Sequence, residues 1–561
     1  MQMRVIIVGG VAGGASAAAR LRRLNEEAEI ILFEKSGFVS YANCGLPYYI
    51  GGEITDPDAL TLQSPESFHT RFHIDVRVRH EVMSLLSEAK VITVKNLETG
   101  KMLQMSYDKL ILASGAKPID PKIPGTKGDR FFTLRTVEQT MAIRNFVTTH
   151  KPKKAIILGG GYIGLEMAEN LSAMGVNPTI INLSDHVMQQ MDADMASEVH
   201  AVLRSHKVKL FLNDTITSFE TTENGVLANL DSGQVVSADM VILAIGVTPD
   251  TRLAKKAGLR LGAKDAIQVN EHMLTSDPDI YAVGDAVEVV HFISKKPSVI
   301  PLAGPANKQG RIAADHLCGV PSLYSGTQGS SVMKLFDRTV ALSGITEEYA
   351  KANGIAFDKA VIYSFSHATY YPGATGMVIK TLFNPEGGKI LGVQIVGHDG
   401  VDKRGDIFAT AIRAGLTAHD LTTLELCYAP PYSSAKDPVN MVGFVIENLL
   451  NGTVKQFHWD EVDELTRNPN VTLLDVRTPA EFAQGHIEGA QSIPLDELRE
   501  RLDEVDASKP IYVNCHSGLR SYLACRILQQ RGFVCFNLSG GYQFYHTILA
   551  DRTQNQKKSF Q

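Results

Sequence analysis

The same local pattern occurs twice in this chain, first at Gly9 and again at Gly159. Each time a run of Val, Ile and Leu breaks into clustered glycines and then into an Ala- and Leu-rich stretch. Arg4 to Val8 reads as a short buried strand, Gly9-Gly10-Val11-Ala12-Gly13-Gly14 as a turn, and the stretch to Leu24 as a helix. A second strand, Glu29 to Phe33, ends at Glu34. The copy runs from Ala155–Leu158 through Gly159-Gly160-Gly161-Tyr162-Ile163-Gly164 into a helix through Glu166, Ala168 and Leu171. Its next strand, Pro178 to Ile181, ends at Asn182. Glycines let such a turn approach a pyrophosphate, and the helix that follows offers N–H groups and the positive end of its dipole. Two copies imply two dinucleotides, and a flavin with a nicotinamide is the common pairing.

The copies differ in detail. In the first, Gly9, Gly10, Ala12 and Gly13 are expected to line the cofactor, although Val11 stands where G-x-G-x-x-G has its middle glycine. Glu34 sits where a carboxylate accepts ribose hydroxyls, with Lys35 beside it. In the second, Gly159, Gly161, Tyr162, Ile163 and Gly164 complete the pattern, and Asn182 replaces the acidic residue. Asn182-Leu183-Ser184-Asp185-His186 carries no Arg or Lys to clamp a 2′-phosphate, so NADH is expected, with NADPH left open.

Two further segments point to the flavin. Thr275 to Asp285 (TSDPDIYAVGD) reads as a strand delivering a tight turn at Gly284, with Asp285 free to meet a ribityl hydroxyl. Apolar strands also end in small-residue turns at Ala113-Ser114-Gly115 and at Gly246. Together these segments resemble the two-dinucleotide flavoprotein disulfide reductase family, over roughly residues 1 to 445. The resemblance implies an α/β chain with two Rossmann-like domains. An FAD-binding domain, 1–115 and 247–325, would be split around an NAD(P)H-binding domain, 116–246, and followed by an α+β dimerisation domain, 326–445.

Cys44 lies in Ser40-Tyr41-Ala42-Asn43-Cys44-Gly45-Leu46-Pro47-Tyr48-Tyr49-Ile50, and the nearest other cysteine in sequence is Cys318. A lone cysteine is either buried filler or a single redox thiol whose partner sulfur comes from outside. Most of the family uses a cysteine pair, and here the first of the pair is not cysteine. The stretch resembles the coenzyme A-disulfide reductase branch, in which one cysteine cycles between a mixed disulfide and a thiolate beside the flavin. That chemistry needs a thiolate, so the site is expected to depress the thiol pKa. Coenzyme A carries phosphates, and the resemblance assigns Arg22, Arg23 and Arg71, with Ser40, Asn43 and Lys308, to the substrate. It also implies a homodimer in which tyrosines cross the interface to the cysteine. Tyr371 and Tyr428 are the expected pair, with Tyr370 as fallback; Cys427 is read as structural.

After a linker, 446–458, a second small α/β unit is expected at 459–551. Asp475-Val476-Arg477 ends one strand. Ile511 to Asn514 forms another and runs into Cys515-His516-Ser517-Gly518-Leu519-Arg520-Ser521. These residues resemble a rhodanese domain. Cys515 at a strand-to-helix turn would face backbone N–H groups that stabilise a thiolate or persulfide, with Arg520 closing the loop. A cysteine phosphatase uses a similar cradle with a longer loop. Cys525 and Cys535 are expected as buried filler.

The bulk numbers exclude several classes. Net charge is −6 and charged residues are 21%, which argues against a nucleic acid or anionic membrane as partner. Six cysteines in 561 residues form no disulfide framework. Met1 to Val8 enters a strand at once, so a cytoplasmic protein without a leader is expected. No metal site is assigned, and the polar end Thr553–Gln561 is expected to fray. The expected function is an FAD- and NADH-dependent reductase of coenzyme A persulfide, polysulfide or coenzyme A disulfide. Two alternatives stay open: an NADH oxidase or peroxidase that forms a cysteine sulfenic acid, and a non-catalytic redox-sensing sulfur carrier.

Overall fold

A computed structural model of the chain describes residues 2–558. The fold is mixed α/β, as expected, and divides into two compact units. One comprises Met1–Ser184 and Val208–Gly329, the other Asp185–Lys207 and Ser330–Gln561.

The first unit is built on one plan used twice. Its first sheet is parallel and five-stranded, in the order Ile280–Ala282, Lys109–Leu112, Arg4–Val8, Glu29–Phe33, Asp75–Arg77. The second is also parallel, in the order Lys209–Leu212, Asn177–Asn182, Lys154–Leu158, Met240–Leu243, Phe131–Phe132. Each has a three-stranded antiparallel companion, His80–Leu86 with Val91–Asn96 and Met102–Ser106, and Ile216–Thr222 with Gly225–Leu230 and Val235–Ala238. The strands are unbroken apolar runs because helices or antiparallel sheets cover both faces. Side-chain alternation sorts them: Val5, Ile7, Ile30 and Leu32 pack on one side with Ala17 and Leu21, while Ile6, Ile31, Leu110 and Leu112 pack on the other.

Small residues bring the helix Ala12–Leu24 unusually close to the helix Ala303–Leu317. A Cβ on Gly310 would lie 2.2 Å from the carbonyl oxygen of Gly13.

The second unit contains an antiparallel sheet in the order Ser331–Leu335, Arg338–Gly344, Ile390–Gly397, Gly376–Phe383, Asp358–Phe365. It also contains a parallel sheet in the order Lys455–Phe457, Cys535–Leu538, Ile511–Asn514, Thr472–Asp475, Gln491–Ser492. The helix Ala193–Ser205, expected to belong with the second glycine turn, groups with this unit. The expected fraying is replaced by helix as far as Lys558; Ser559, Phe560 and Gln561 lie outside the described residues. Among the described residues no helix is long and apolar enough to cross a membrane.

Candidate functional site

The two glycine turns are near copies in three dimensions. Gly9 (φ +99°) and Gly159 (φ +106°) adopt backbone that L side chains avoid, and a Cβ there would lie 2.2 Å from Ala113 O and 2.4 Å from Ala244 O. The last glycine of each turn lets the helix pack on the turn: a Cβ on Gly14 would be 1.9 Å from Gly9 O, and one on Gly164 2.1 Å from Gly159 O. Gly14 is a member of the site that sequence reading passed over, although its offset from Gly9 equals that of Gly164 from Gly159. The Gly10 N–H donates to Glu34 Oε2 (2.8 Å), and the Gly160 N–H donates to Asn182 Oδ1 (2.9 Å). Asn182 therefore braces its turn as Glu34 does, by an amide oxygen in place of a carboxylate.

The residues fit the expected dinucleotides. Apart from its chain neighbours, no described residue comes within 4 Å of a Cβ built on Gly161, so the middle of the second turn is open for a phosphate to approach the backbone. Glu34 is buried enough that its pKa is raised, and Gly10 and Ser36 N–H groups oppose that rise. Ser114 Oγ donates to Asp250 O (2.6 Å), and Gly115 (φ +66°), Gly246 (φ +101°) and Gly284 (φ +80°) turn the chain at the strand ends. Lys35 is exposed and pairs with Glu81 at 3.0 Å. Asp285 is held by Arg135 at 2.7 Å, and the Gly284 N–H donates to Gln309 Oε1 at 2.7 Å. Nothing local in the sequence ties Arg135 or Gln309 to Gly284-Asp285.

Cys44 sits in a 3-10 turn, Asn43–Gly45, and is an exposed residue whose sulfur is partly enclosed. The turn is tied to the first glycine turn, since the Ser40 N–H donates to Gly10 O (2.7 Å) from a left-handed conformation (φ +49°). The helix Leu46–Gly51 then packs on the helix Tyr162–Ala173, so closely that a Cβ on Gly51 would be 2.0 Å from Asn170 Oδ1. The helix of the second turn thus lies against the segment carrying the thiol. The expected depression of the thiol pKa is corrected here. Burial pushes it up, Glu166 and Asp285 push it further, and Arg135 opposes them. Glu166 is itself pushed up to about 7 by burial and then by Glu169.

Beside Ser40 lies a cleft of about 380 Å³ lined by Ser16, Arg20, Arg23, Asn307 and Arg311 among others. Of the arginines expected at the substrate, Arg23 lines this cleft. Arg22 is not: it is 5% exposed and donates to the carbonyls of Phe72, Asn25, Glu26 and His73. Its guanidinium fastens the helix end to the segment at Phe72, leaving little for a substrate. Arg20 and Arg311, which replace it in the cleft, share Asp315 (2.6 and 3.7 Å). Arg20 is detectable by helical spacing, because residues three apart share a face. Arg71 and Lys308 are exposed and do not line the cleft.

In the second unit, Tyr370 and Tyr428 share a hydrogen bond between their hydroxyls at 2.8 Å. That bond raises the pKa of Tyr370. Tyr371 instead sets its ring edge-on to His367, with centroids 5.6 Å apart. Tyr428 lines a cavity of about 530 Å³ with His367, Lys403 and Cys427. Cys427, expected as structural, is exposed and so contributes no core packing. The Pro-rich loop is anchored beneath by buried Arg404, which pairs with Asp437 (2.8 Å) and donates to Ser433 (3.1 Å).

Cys515 is buried at the end of the strand Ile511–Asn514. Its sulfur accepts from the Gly518 N–H (3.1 Å) and the Ser521 hydroxyl (3.2 Å). Gly518 reaches this position with φ +100°. Arg520 is engaged by Glu481 through two contacts (2.8 and 2.6 Å), and this hydrogen bonding holds the Glu481 pKa down to about 2. Asp475 pairs with Arg477 (2.7 Å), whose guanidinium lies 4.0 Å from the Tyr542 ring centre. Cys525 and Cys535 are buried in the same core.

Comparison with known proteins adds the following. Residues 3–310 match the family described as pyridine nucleotide-disulphide oxidoreductase, 330–438 its dimerisation domain, and 458–547 the rhodanese-like domain. The coenzyme A disulfide reductase of Staphylococcus aureus strain JH9 is 36% identical over 442 residues, 79% of this chain and 99% of the relative. The crystal structure of reduced Bacillus anthracis CoADR-RHD is 49% identical, with a TM-score of 0.96 over 98% of this chain and 99% of that one. An NAD-dependent persulfide reductase from A. fulgidus is 35% identical, with a TM-score of 0.91 over 97% of this chain and 100% of its own. A water-forming NADH oxidase from Lactobacillus brevis is 28% identical, with a TM-score of 0.77 over 81% of this chain and 100% of its own.

Proposed function

Since the chain belongs to the pyridine nucleotide-disulphide oxidoreductase family, we propose that it uses NADH and FAD to reduce a sulfur–sulfur bond of a coenzyme A-linked substrate at the single thiol Cys44. Coenzyme A persulfide is favoured over polysulfide and coenzyme A disulfide, because a rhodanese-like segment handles sulfane sulfur and simple disulfide reduction does not need one. The observation that carries the reading is the exposed residue Cys44, four residues after Ser40, which lines a cleft with Arg20, Arg23 and Arg311. Guanidinium groups of this kind suit the phosphates of coenzyme A.

FAD, held by the first glycine turn with Glu34 and Asp285, would accept hydride from NADH and pass on two electrons. NADH would be held by the second turn, since the run from Asn182 to His186 carries no Arg or Lys to meet a 2′-phosphate. Cys44 attacks the substrate R–S–SH at the sulfur bonded to R; a Cys44–S–S–R disulfide forms and HS⁻ leaves. Two electrons then break that disulfide, returning Cys44 as thiolate and releasing R–S⁻, which takes up a proton. The sum is R–S–SH + NADH + H⁺ giving R–SH + H₂S + NAD⁺. Tyr428 is the proton donor to a leaving thiolate, and its bond to Tyr370 supports Tyr370 over Tyr371 as its partner. The dimerisation-domain match supports a homodimer in which these tyrosines serve the Cys44 of the other subunit. Cys515 carries sulfane sulfur to or from the substrate, its charge met by Gly518 and Ser521. A cytoplasmic setting fits six cysteines that are all free.

The oxidase relative supports one competing reading, in which Cys44 cycles through a sulfenic acid. Anaerobic NADH oxidation with coenzyme A persulfide separates the two, run on the intact chain, Cys44→Ser and Cys515→Ser. The proposal expects sulfide release that Cys44→Ser abolishes and Cys515→Ser only impairs. Persulfide turnover that survives Cys44→Ser overturns it, as does NADH oxidation that requires oxygen or peroxide and ignores the sulfur substrate.

A further inference from the structure

Arg520 closes the Cys515 loop, but its guanidinium already has a partner. Both terminal nitrogens donate to Glu481, Nη1 to Oε2 at 2.8 Å and Nη2 to Oε1 at 2.6 Å. Two parallel bonds of this kind fix a guanidinium more firmly than a single contact does. Glu481 is itself held from another side. It stands three residues after Thr478, the N-cap of the helix Pro479–Ala483, and its Oε2 accepts the Thr478 N–H (3.0 Å) and hydroxyl (2.9 Å). This is a capping box, so the carboxylate does not depend on Arg520 for its position. Held to a pKa of about 2, first by Arg520, it stays ionised at neutral pH.

A second arginine is neutralised in the same way. Asp475 lies opposite Asn514, the residue before Cys515, on the neighbouring strand, and it pairs with Arg477 at 2.7 Å. Arg520 is close enough to Cys515 and Asp475 for their charges to act on it. Two guanidinium groups and two carboxylates therefore balance beside the loop. His516, the other basic residue between Cys515 and Ser521, is exposed. What the sulfur receives directly is uncharged: the Gly518 N–H at 3.1 Å and the Ser521 hydroxyl at 3.2 Å. Such donors match the single charge of a thiolate or persulfide. A molecule that brings two further negative charges to that sulfur meets no net positive field.

We propose that Glu481 is a specificity residue. By holding Arg520 it makes the Cys515 loop take sulfur from alkyl persulfides in preference to thiosulfate, whose sulfane sulfur is bonded directly to an anionic sulfonate. The favoured step is Cys515–S⁻ + R–S–SH giving Cys515–S–SH + R–S⁻. The bond between the two substrate sulfurs breaks, the outer sulfur moves with its proton, and R–S⁻ leaves with the electron pair. Thiosulfate would instead have to expel sulfite as a dianion, with Arg520 already engaged. The inference rests on the reading of Cys515 as a carrier of sulfane sulfur.

The test loads the full-length enzyme without NADH, either from 2-hydroxyethyl persulfide, whose alkyl group is uncharged, or from thiosulfate. Sulfur on the Cys515 peptide is followed by quenched mass spectrometry. Wild type should load from the persulfide about a hundredfold faster or more, as opposed like charges require. Glu481→Gln keeps an oxygen for Thr478 and removes the charge that holds Arg520. The ratio of the two rates should then move about tenfold towards thiosulfate, the worth of a charge-assisted contact. Adding Arg520→Ala should take that gain away. A ratio unmoved by Glu481→Gln overturns the proposal, as do equal changes with both donors. A gain that survives Arg520→Ala, or wild-type loading equally fast from both donors, also overturns it. Loading from neither donor rejects the carrier reading itself, and the inference with it.

Discussion

The two cysteines to which chemistry is assigned in the proposal live in opposite surroundings. Cys44 is an exposed residue on a short turn, where partial burial of its sulfur and then the carboxylates of Glu166 and Asp285 raise its pKa. Cys515 is buried, with an N–H and a hydroxyl aimed at its sulfur. A sulfur that must exchange with a bulky substrate needs access, and its charge is met by what binds beside it. A sulfur that must hold a labile persulfide needs donors from its own chain and exclusion of other thiols. On the proposed reading, the chain separates these demands by placing them on different folds.

The contrast breaks most sharply under exchange of the nucleophiles. Cys44→Ser should lower persulfide reduction by roughly a thousandfold or more, as loss of a nucleophile does, while sulfur transfer to cyanide persists. Cys515→Ser should lower sulfur transfer to cyanide to a similar degree, with persulfide reduction only impaired. Removing one donor at the buried sulfur is the next test: Ser521→Ala should slow sulfur transfer by about tenfold, the worth of a hydrogen bond to a charged group, with NADH consumption on coenzyme A disulfide unchanged. At the exposed sulfur, Arg23→Ala and Arg311→Ala should each raise KM for coenzyme A disulfide about threefold to tenfold, the share of a partly exposed charge-assisted contact, and leave inorganic polysulfide unaffected.

The smallest effect concerns Glu166, whose pKa rises from 4.5 to about 7 in the folded chain. Its contribution to stability is therefore full below pH 4.5 and lost as pH climbs through about 7. Denaturant unfolding across that range should show the decline, and Glu166→Gln should flatten it. The same variant removes a charge that pushes Cys44 up, so alkylation of Cys44 at neutral pH should quicken a few-fold, with Cys515 unmoved.

What was legible in advance follows the same divide between local and distant. The glycine turns, the strand ends and both cysteine loops are short segments whose chemistry is written in adjacent residues. Arg22 misled because burial is a property of the helix face and not of the residue. Arg20 and Arg311 meet at Asp315 only after distant helices pack, and the Tyr370–Tyr428 bond joins loops that sequence reading treats separately. Arg135 reaches Asp285 in the same way. The environment of Cys44 was misjudged because the chemistry calls for a thiolate, whereas burial of the sulfur first, and then the carboxylates of Glu166 and Asp285 brought in from distant segments, push its pKa up.

The central claim is that Cys44 alone forms a covalent disulfide with the substrate. Enzyme stripped of bound thiols by excess dithiol and desalted without oxygen should be mixed with one equivalent of coenzyme A disulfide, quenched in acid and analysed by peptide mass spectrometry. The account predicts a coenzyme A adduct on the peptide containing Cys44, one equivalent of free coenzyme A, and no such adduct in Cys44→Ser. An adduct confined to Cys515 or Cys427, or none at all while the enzyme turns over coenzyme A disulfide, would contradict it.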